Sequence, residues 1–145
     1  MEKIIEVNNE DQTIKAGEEF ASKLRPGDIV FLHGELGSGK TTFTKGIANG
    51  LGVVSRVASP TFIVVRTHPA QNQLGIKTLY HLDLYRLENE KQTKEIDLQG
   101  FLSDPEGVVV IEWPEIGQNL VNKKVWDITI EQKVPEGRKI TTNYA

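Results

Sequence analysis

The run Gly34-Glu35-Leu36-Gly37-Ser38-Gly39-Lys40-Thr41-Thr42 concentrates more chemistry than any other part of the chain. Its first eight residues satisfy G-x-x-x-x-G-K-[ST], in which glycines let successive backbone N–H groups turn onto phosphate oxygens with no Cβ in the way. A lysine placed like Lys40 neutralises β- and γ-phosphate charge, and a hydroxyl placed like Thr41 ligates Mg²⁺. The match points to a nucleoside triphosphate, ATP or GTP, bound with Mg²⁺. Such a loop also needs a carboxylate at the end of a neighbouring buried strand. Glu112 follows the aliphatic run Val108-Val109-Val110-Ile111, at the strand end where open α/β sheets bind ligands, and is a candidate to hold the metal or position water. Asp83 competes with it. In His81-Leu82-Asp83-Leu84-Tyr85-Arg86, alternation puts His81, Asp83 and Tyr85 on one face, which either serves a site or is the solvated face of an edge strand. Pro60 in Ser59-Pro60-Thr61-Phe62 keeps Ser59 extended, so this segment either presents the Thr61 hydroxyl like a switch or is a plain turn into a strand. Trp113 stacks near the site or packs in the core, and core packing is expected for Trp126.

A phosphate loop must be fed by a strand and must open a helix. Residues 28–33 read as a buried strand and residues 42–51 as the helix, ended by Gly50 and Gly52. Upstream, residues 2–7 alternate as a short strand, and Asn9 followed by Gln12 resembles an N-cap with its capping-box partner. The helix that follows covers residues 11–24, with Ile14, Phe20, Ala21 and Leu24 largely on one face, and stops at Pro26-Gly27. Residues 57–66 and 78–85 are rich in β-branched and aromatic side chains, with the polar residues 68–75 between them, as in an antiparallel excursion. A solvated helix over residues 88–96 and a short one over 98–102 precede the turn Asp104-Pro105-Glu106-Gly107. Residues 107–112 form a strand buried on both faces, and residues 125–132 and 138–142 an antiparallel pair joined across Pro135-Glu136-Gly137. The expected fold is α/β: a P-loop NTPase-like three-layer fold with a mixed, mainly parallel central sheet and antiparallel additions.

The 145 residues suit one domain, 1–145, with a core that needs no disulfide, and the absence of cysteine excludes thiolate chemistry. The longest aliphatic run, residues 108–111, is far too short to span a bilayer, and the N-terminus lacks the apolar stretch of a secretory signal. A cytoplasmic location is expected, without membrane contact. The formal net charge of -3 disfavours a broad nucleic-acid footprint, which would require a basic excess.

Four motifs in order extend the reading: the loop through Thr42-Phe43, then Ser59-Pro60-Thr61-Phe62, then His81-Leu82-Asp83-Leu84-Tyr85-Arg86, then Ile111-Glu112-Trp113-Pro114-Glu115. Together they resemble the bacterial TsaE (YjeE) family of small ATPases over essentially the whole chain. The resemblance implies a part in forming N6-threonylcarbamoyladenosine in tRNAs that read codons beginning with adenine. It implies that TsaD with TsaB performs the transfer, that this protein hydrolyses ATP within their complex, and that tRNA is met through those partners. It further implies phosphate contacts from Glu35 to Thr42, with Lys40 on phosphates, Mg²⁺ on Thr41 and Glu112, a catalytic role for Asp83, and base contacts near Thr13 and from Arg138. Glu35 stands where aspartate is common and Ser38 where alanine is common, and neither change removes a backbone donor.

Two other functions share the loop. A small-molecule kinase needs an acceptor site and an arginine-rich lid, and the five arginines, at 25, 56, 66, 86 and 138, form no cluster in sequence. A GTP switch needs guanine-reading motifs. Asp97-Leu98-Gln99-Gly100 matches D-x-x-G without a buried strand before it, and Asn122-Lys123-Lys124-Val125 lacks the aspartate of N-K-x-D.

Overall fold

The computed structural model describes residues 2–35, 37–55, 57, 65–85, 97–116, 121–133 and 136–144. Leu36, Arg86, the 59–62 segment and the expected helix over 88–96 lie outside the described residues.

Seven strands form one sheet: β1 (Glu2–Val7), β2 (Ile29–His33), β3 (Val65–Pro69), β4 (Thr78–Asp83), β5 (Gly107–Glu112), β6 (Trp126–Gln132) and β7 (Arg138–Tyr144). Their order is β1-β7-β6-β2-β5-β4-β3. Parallel pairing is confined to the middle, β6-β2-β5-β4, while β3 and the β1-β7-β6 side pair antiparallel. The sheet is thus mixed, with a parallel core and antiparallel margins. All six residues of β5 are buried, as a central parallel strand requires.

Helices cover both faces. Helix α1 (Glu10–Ala21) and helix α2 (Lys40–Gly50) lie on one, where Phe20, Phe43 and Ile47 pack with Val30, Leu32, Val108, Val110 and Ile128. Helix α3 (Leu98–Leu102) lies on the other, joining Leu98 and Leu102 to Ile29, Phe31, Leu82, Val109 and Ile111. Alternation along β2 and β5 sorts these sets, so Glu112 shares the face of Val108 and Val110, which is the face of α2.

The start of α1 is capped as its sequence indicates. The Asn9 side chain accepts from Gln12 N at 2.8 Å, and the Gln12 side chain accepts from Asn8 N at 2.7 Å. The helix ends at Ala21, three residues before its expected end, and Leu24 reaches the core from the turn that follows. Between α1 and α2 the backbones touch. A Cβ on Gly17 would fall 2.9 Å from the Cα of Gly46 and closer still to the carbonyl oxygen of Phe43, so only glycine admits this approach.

Other expectations change, and one open alternative is decided. Helix α2 starts at Lys40, two residues early, because Gly39 is its N-cap and the Gly39 carbonyl accepts from Phe43 N at 2.9 Å. Val57 is not in a strand, whereas β3 runs on to Pro69 and buries His68 within the segment expected to be polar loop. Strand β4 is no solvated edge: it lies between β3 and β5, and His81 and Asp83 are buried.

Candidate functional site

The loop between β2 and α2 needs backbone conformations that side chains resist. Gly34, Gly37 and Gly39 all have positive φ, at 151°, 77° and 109°. Gly39 in the left-handed region caps α2 and, as glycine, offers no side chain to the first N–H groups of the helix. The first turn also carries no acidic residue. Uncapped donors at the positive end of a helix dipole fit an anion. Beneath the loop, the Ser38 hydroxyl is 1% exposed and is a buried polar atom without a partner among the described residues. Thr41 and Thr42 follow on the half-buried first turn, and Glu35 stays exposed.

Lys40 is buried, and its Nζ donates to the carbonyl of Gly34 at 2.7 Å. The same ammonium sits 3.6 Å from the centre of the Trp113 ring, a cation–π contact. Trp113 has φ of 56°, a strained value for a bulky residue, and its ring lies 4.9 Å from that of Tyr85. It is therefore a residue of the site. Trp126 is half-buried and packs against the core, edge-on to Phe20 at 5.0 Å. Burial pushes the Lys40 ammonium below the usual lysine pKa, against the opposing pull of Glu112, Asp83, Glu115 and Glu35.

Facing the lysine are two carboxylates that neighbouring parallel strands bring into register, Asp83 opposite Glu112. Asp83 is 8% exposed and Glu112 3%. Asp83 Oδ1 accepts from Tyr85 N at 2.9 Å. Burial raises its pKa above the usual aspartate value, and the neighbouring Glu112 raises it further, while the Tyr85 bond, His81 and Lys40 work against the rise. Glu112 Oε2 is in hydrogen-bond contact with Nε2 of the fully buried His81. Among the described residues no group of three or more His, Asp or Glu forms a metal cage.

Beside the loop is a cavity of about 340 Å³ lined by Asn9, Thr13, Gly37, Gly39, Thr42 and Arg138 among others. Thr13 is buried on α1, with its hydroxyl donating to Asn9 O at 3.2 Å. Arg138 grips the loop: Nε donates to Ser38 O at 2.8 Å, and a terminal nitrogen reaches Gly37 O at 3.4 Å. Gln132 donates to Gly37 O at 3.0 Å from the opposite side of the same hairpin, where it pairs with Arg138. Sequence reasoning missed Gln132, although the β6–β7 pairing it proposed is the signal that places the two together. It also missed His33 at the end of β2, whose Nε2 lies 3.0 Å from Asp127 Oδ1.

The structure thus brings Lys40, Asp83 and Glu112 to one end of the parallel core, with Thr41, Thr13 and Arg138 around the adjoining loop and cavity. Asp97-Leu98-Gln99-Gly100 falls elsewhere. It begins α3, whose leucines pack on the opposite face of the sheet from α2.

Comparison with known proteins agrees in fold and sequence. Residues 7–140 match the family model described as threonylcarbamoyl adenosine biosynthesis protein TsaE. The chain is 35% identical over 133 residues to the tRNA threonylcarbamoyladenosine biosynthesis protein TsaE of Bacillus subtilis, covering 92% of this chain and 80% of that protein. It is 48% identical over 101 residues to the protein of that name from Streptomyces coelicolor, covering 68% of this chain and 65% of the relative. The crystal structure of Bacillus subtilis YdiB superposes with a TM-score of 0.75 at 28% identity, covering 100% of this chain and 86% of that one.

Proposed function

The chain belongs to the TsaE family of threonylcarbamoyl adenosine biosynthesis proteins, and from that premise we propose that it is a Mg²⁺-dependent P-loop ATPase of tRNA N6-threonylcarbamoyladenosine formation. It converts ATP to ADP and phosphate, slowly alone, and works with TsaB and TsaD, which carry the group transfer and bring the tRNA. In this reading the chain is one three-layer P-loop domain acting in the cytoplasm. The observation that carries it is the buried Lys40 ammonium, held by Gly34 O at the mouth of the loop and drawn electrostatically toward the register pair Asp83 and Glu112.

Each residue has a physical task. Backbone N–H groups from Glu35 to Thr42 receive the phosphates at the N-terminus of α2. Lys40 is already desolvated and exchanges the Gly34 carbonyl for β- and γ-phosphate oxygens, which repays the burial that weakens its hold on a proton. Thr41 and Glu112 would hold Mg²⁺, whose charge neutralises that developing on the phosphates. Asp83, with its proton affinity raised by burial, orients the attacking water and accepts its proton. The cavity beside Thr13 takes the nucleoside end, and Arg138 borders both cavity and loop. The acidic net charge agrees with tRNA being held by partners.

Release of phosphate from γ-labelled ATP, measured for the wild type and Lys40→Ala with ATP and GTP in parallel, tests the reading. ATP hydrolysis lost in the variant is expected. Hydrolysis untouched by the substitution, a clear preference for GTP, or label transferred to a small acceptor in excess of phosphate release would sink it.

A further inference from the structure

His81 lies on β4 two residues before Asp83, on the same strand face, and is entirely enclosed. Its two ring nitrogens differ. Nε2 bonds to Glu112 Oε2, while Nδ1 is a buried polar atom with no partner among the described residues. On the same face of β4, neighbouring Leu79 is fully buried in the core. Leaving an imidazole nitrogen unpaired in such a place opposes folding. A half-satisfied histidine at the centre of a sheet is thus explained by what its other nitrogen does.

We propose that His81 is a positioning residue of the site: its Nε2–H fixes one oxygen of Glu112 and so sets the plane in which the carboxylate presents its other oxygen to ligands. In this arrangement the imidazole is the donor and the carboxylate oxygen the acceptor. The main-chain frame supports this role. Strand β4 is held parallel to β5 with His81 opposite Val110 and Asp83 opposite Glu112, so the imidazole reaches along the strand direction to the next pair on the same face. Metal-binding carboxylates are oriented in this way by partners behind them, and loss of such a partner weakens metal binding about 10–100-fold.

The inference rests on Glu112 holding Mg²⁺, and the test separates the two. Equilibrium binding of a fluorescent, non-hydrolysable ATP analogue is measured against Mg²⁺ concentration, with a parallel titration in EDTA. Four variants are compared with the wild type: His81→Leu, His81→Asn, His81→Gln and Glu112→Ala. The glutamine amide nitrogen takes the place of Nε2, whereas the asparagine nitrogen sits near Nδ1 and cannot reach Glu112. In His81→Leu and His81→Asn the Mg²⁺ concentration giving half-maximal enhancement is expected to rise about tenfold or more, while His81→Gln restores it to within about threefold of wild type. Binding in EDTA stays at the wild-type level in the three His81 variants, because the phosphate loop is intact, and Glu112→Ala is read only for its Mg²⁺ dependence. The proposal is overturned if Glu112→Ala shifts the Mg²⁺ dependence and neither His81→Leu nor His81→Asn does. It is overturned equally if His81→Gln behaves like His81→Leu, or if every His81 variant loses binding in EDTA, which would make His81 a residue of the fold alone. A Mg²⁺ dependence unaffected by Glu112→Ala would remove the premise itself, and the inference with it.

Discussion

Arg138→Ala separates two roles for one side chain. The sequence resemblance implies a base contact for Arg138, yet its guanidinium donates to Ser38 O at 2.8 Å and to Gly37 O at 3.4 Å, both in the phosphate loop. The first is short and charge-assisted, the second is at the limit of length, and a terminal nitrogen also donates to Gly137 O at 2.9 Å, so their combined loss should destabilise the fold by about 2 kcal/mol. For a chain of this size that lowers Tm by about 4–8 °C. The looser loop must then be ordered by its ligand, so affinity falls as well, by about tenfold if roughly 1.4 kcal/mol of the ordering is transferred to binding. The assay is calorimetric titration with ATP and, separately, with inorganic tripolyphosphate. If Arg138 acts through the loop, both ligands lose affinity by a similar factor and Tm falls. A loss confined to ATP, with tripolyphosphate binding and Tm unchanged, would refute the reasoning and return Arg138 to the base.

Asp83→Asn should be more stable than the wild type at pH 7, because burial and Glu112 raise the folded-state pKa of Asp83 and the asparagine still accepts from Tyr85 N. The sign follows from linkage: with the folded pKa above the unfolded one, the ionised aspartate opposes folding at pH above the folded value. That penalty, and the advantage of the variant, disappears as pH falls through the folded pKa toward the ordinary value, which urea midpoints at several pH values will read. Gly46→Ala should destabilise the fold by about 1–3 kcal/mol or more, since the added Cβ would collide with the Ile14 carbonyl in the α1–α2 contact, and thermal melting will show it. Trp113→Ala removes the ring from the Lys40 ammonium, and loss of an enclosed cation–π contact of about 1–2 kcal/mol should appear as a lower melting temperature of the ligand-free protein.

Much of the frame was legible because it rests on local rules. The aliphatic run of β5, the cap at Asn9 and the glycine spacing of the loop each announce an element through chemistry confined to a few residues. The placement of Glu112 at a strand end followed from the same reasoning. What escaped depends on pairing across the chain. Whether β4 was a solvated edge or an inner strand could not be decided from its alternation, because burial of the polar face is set by β3 and β5 on its two sides. The roles of His81 and Gln132 were hidden for the same reason, since their partners Glu112 and Gly37 lie far away in sequence. Trp113 was undecided between site and core until the turn after β5 put its ring over Lys40.

The central claim is that Lys40, Asp83 and Glu112 form the working end of an ATPase that serves tRNA modification. Its most direct test is reconstitution of N6-threonylcarbamoyladenosine on tRNA with TsaB, TsaD and ATP, adding the wild-type chain, Lys40→Ala, Asp83→Ala or Glu112→Ala. The account expects multiple turnovers of modified tRNA with the wild type and loss of sustained turnover with each variant, in step with lost ATP hydrolysis. Undiminished modification with folded Lys40→Ala and Glu112→Ala proteins would contradict it.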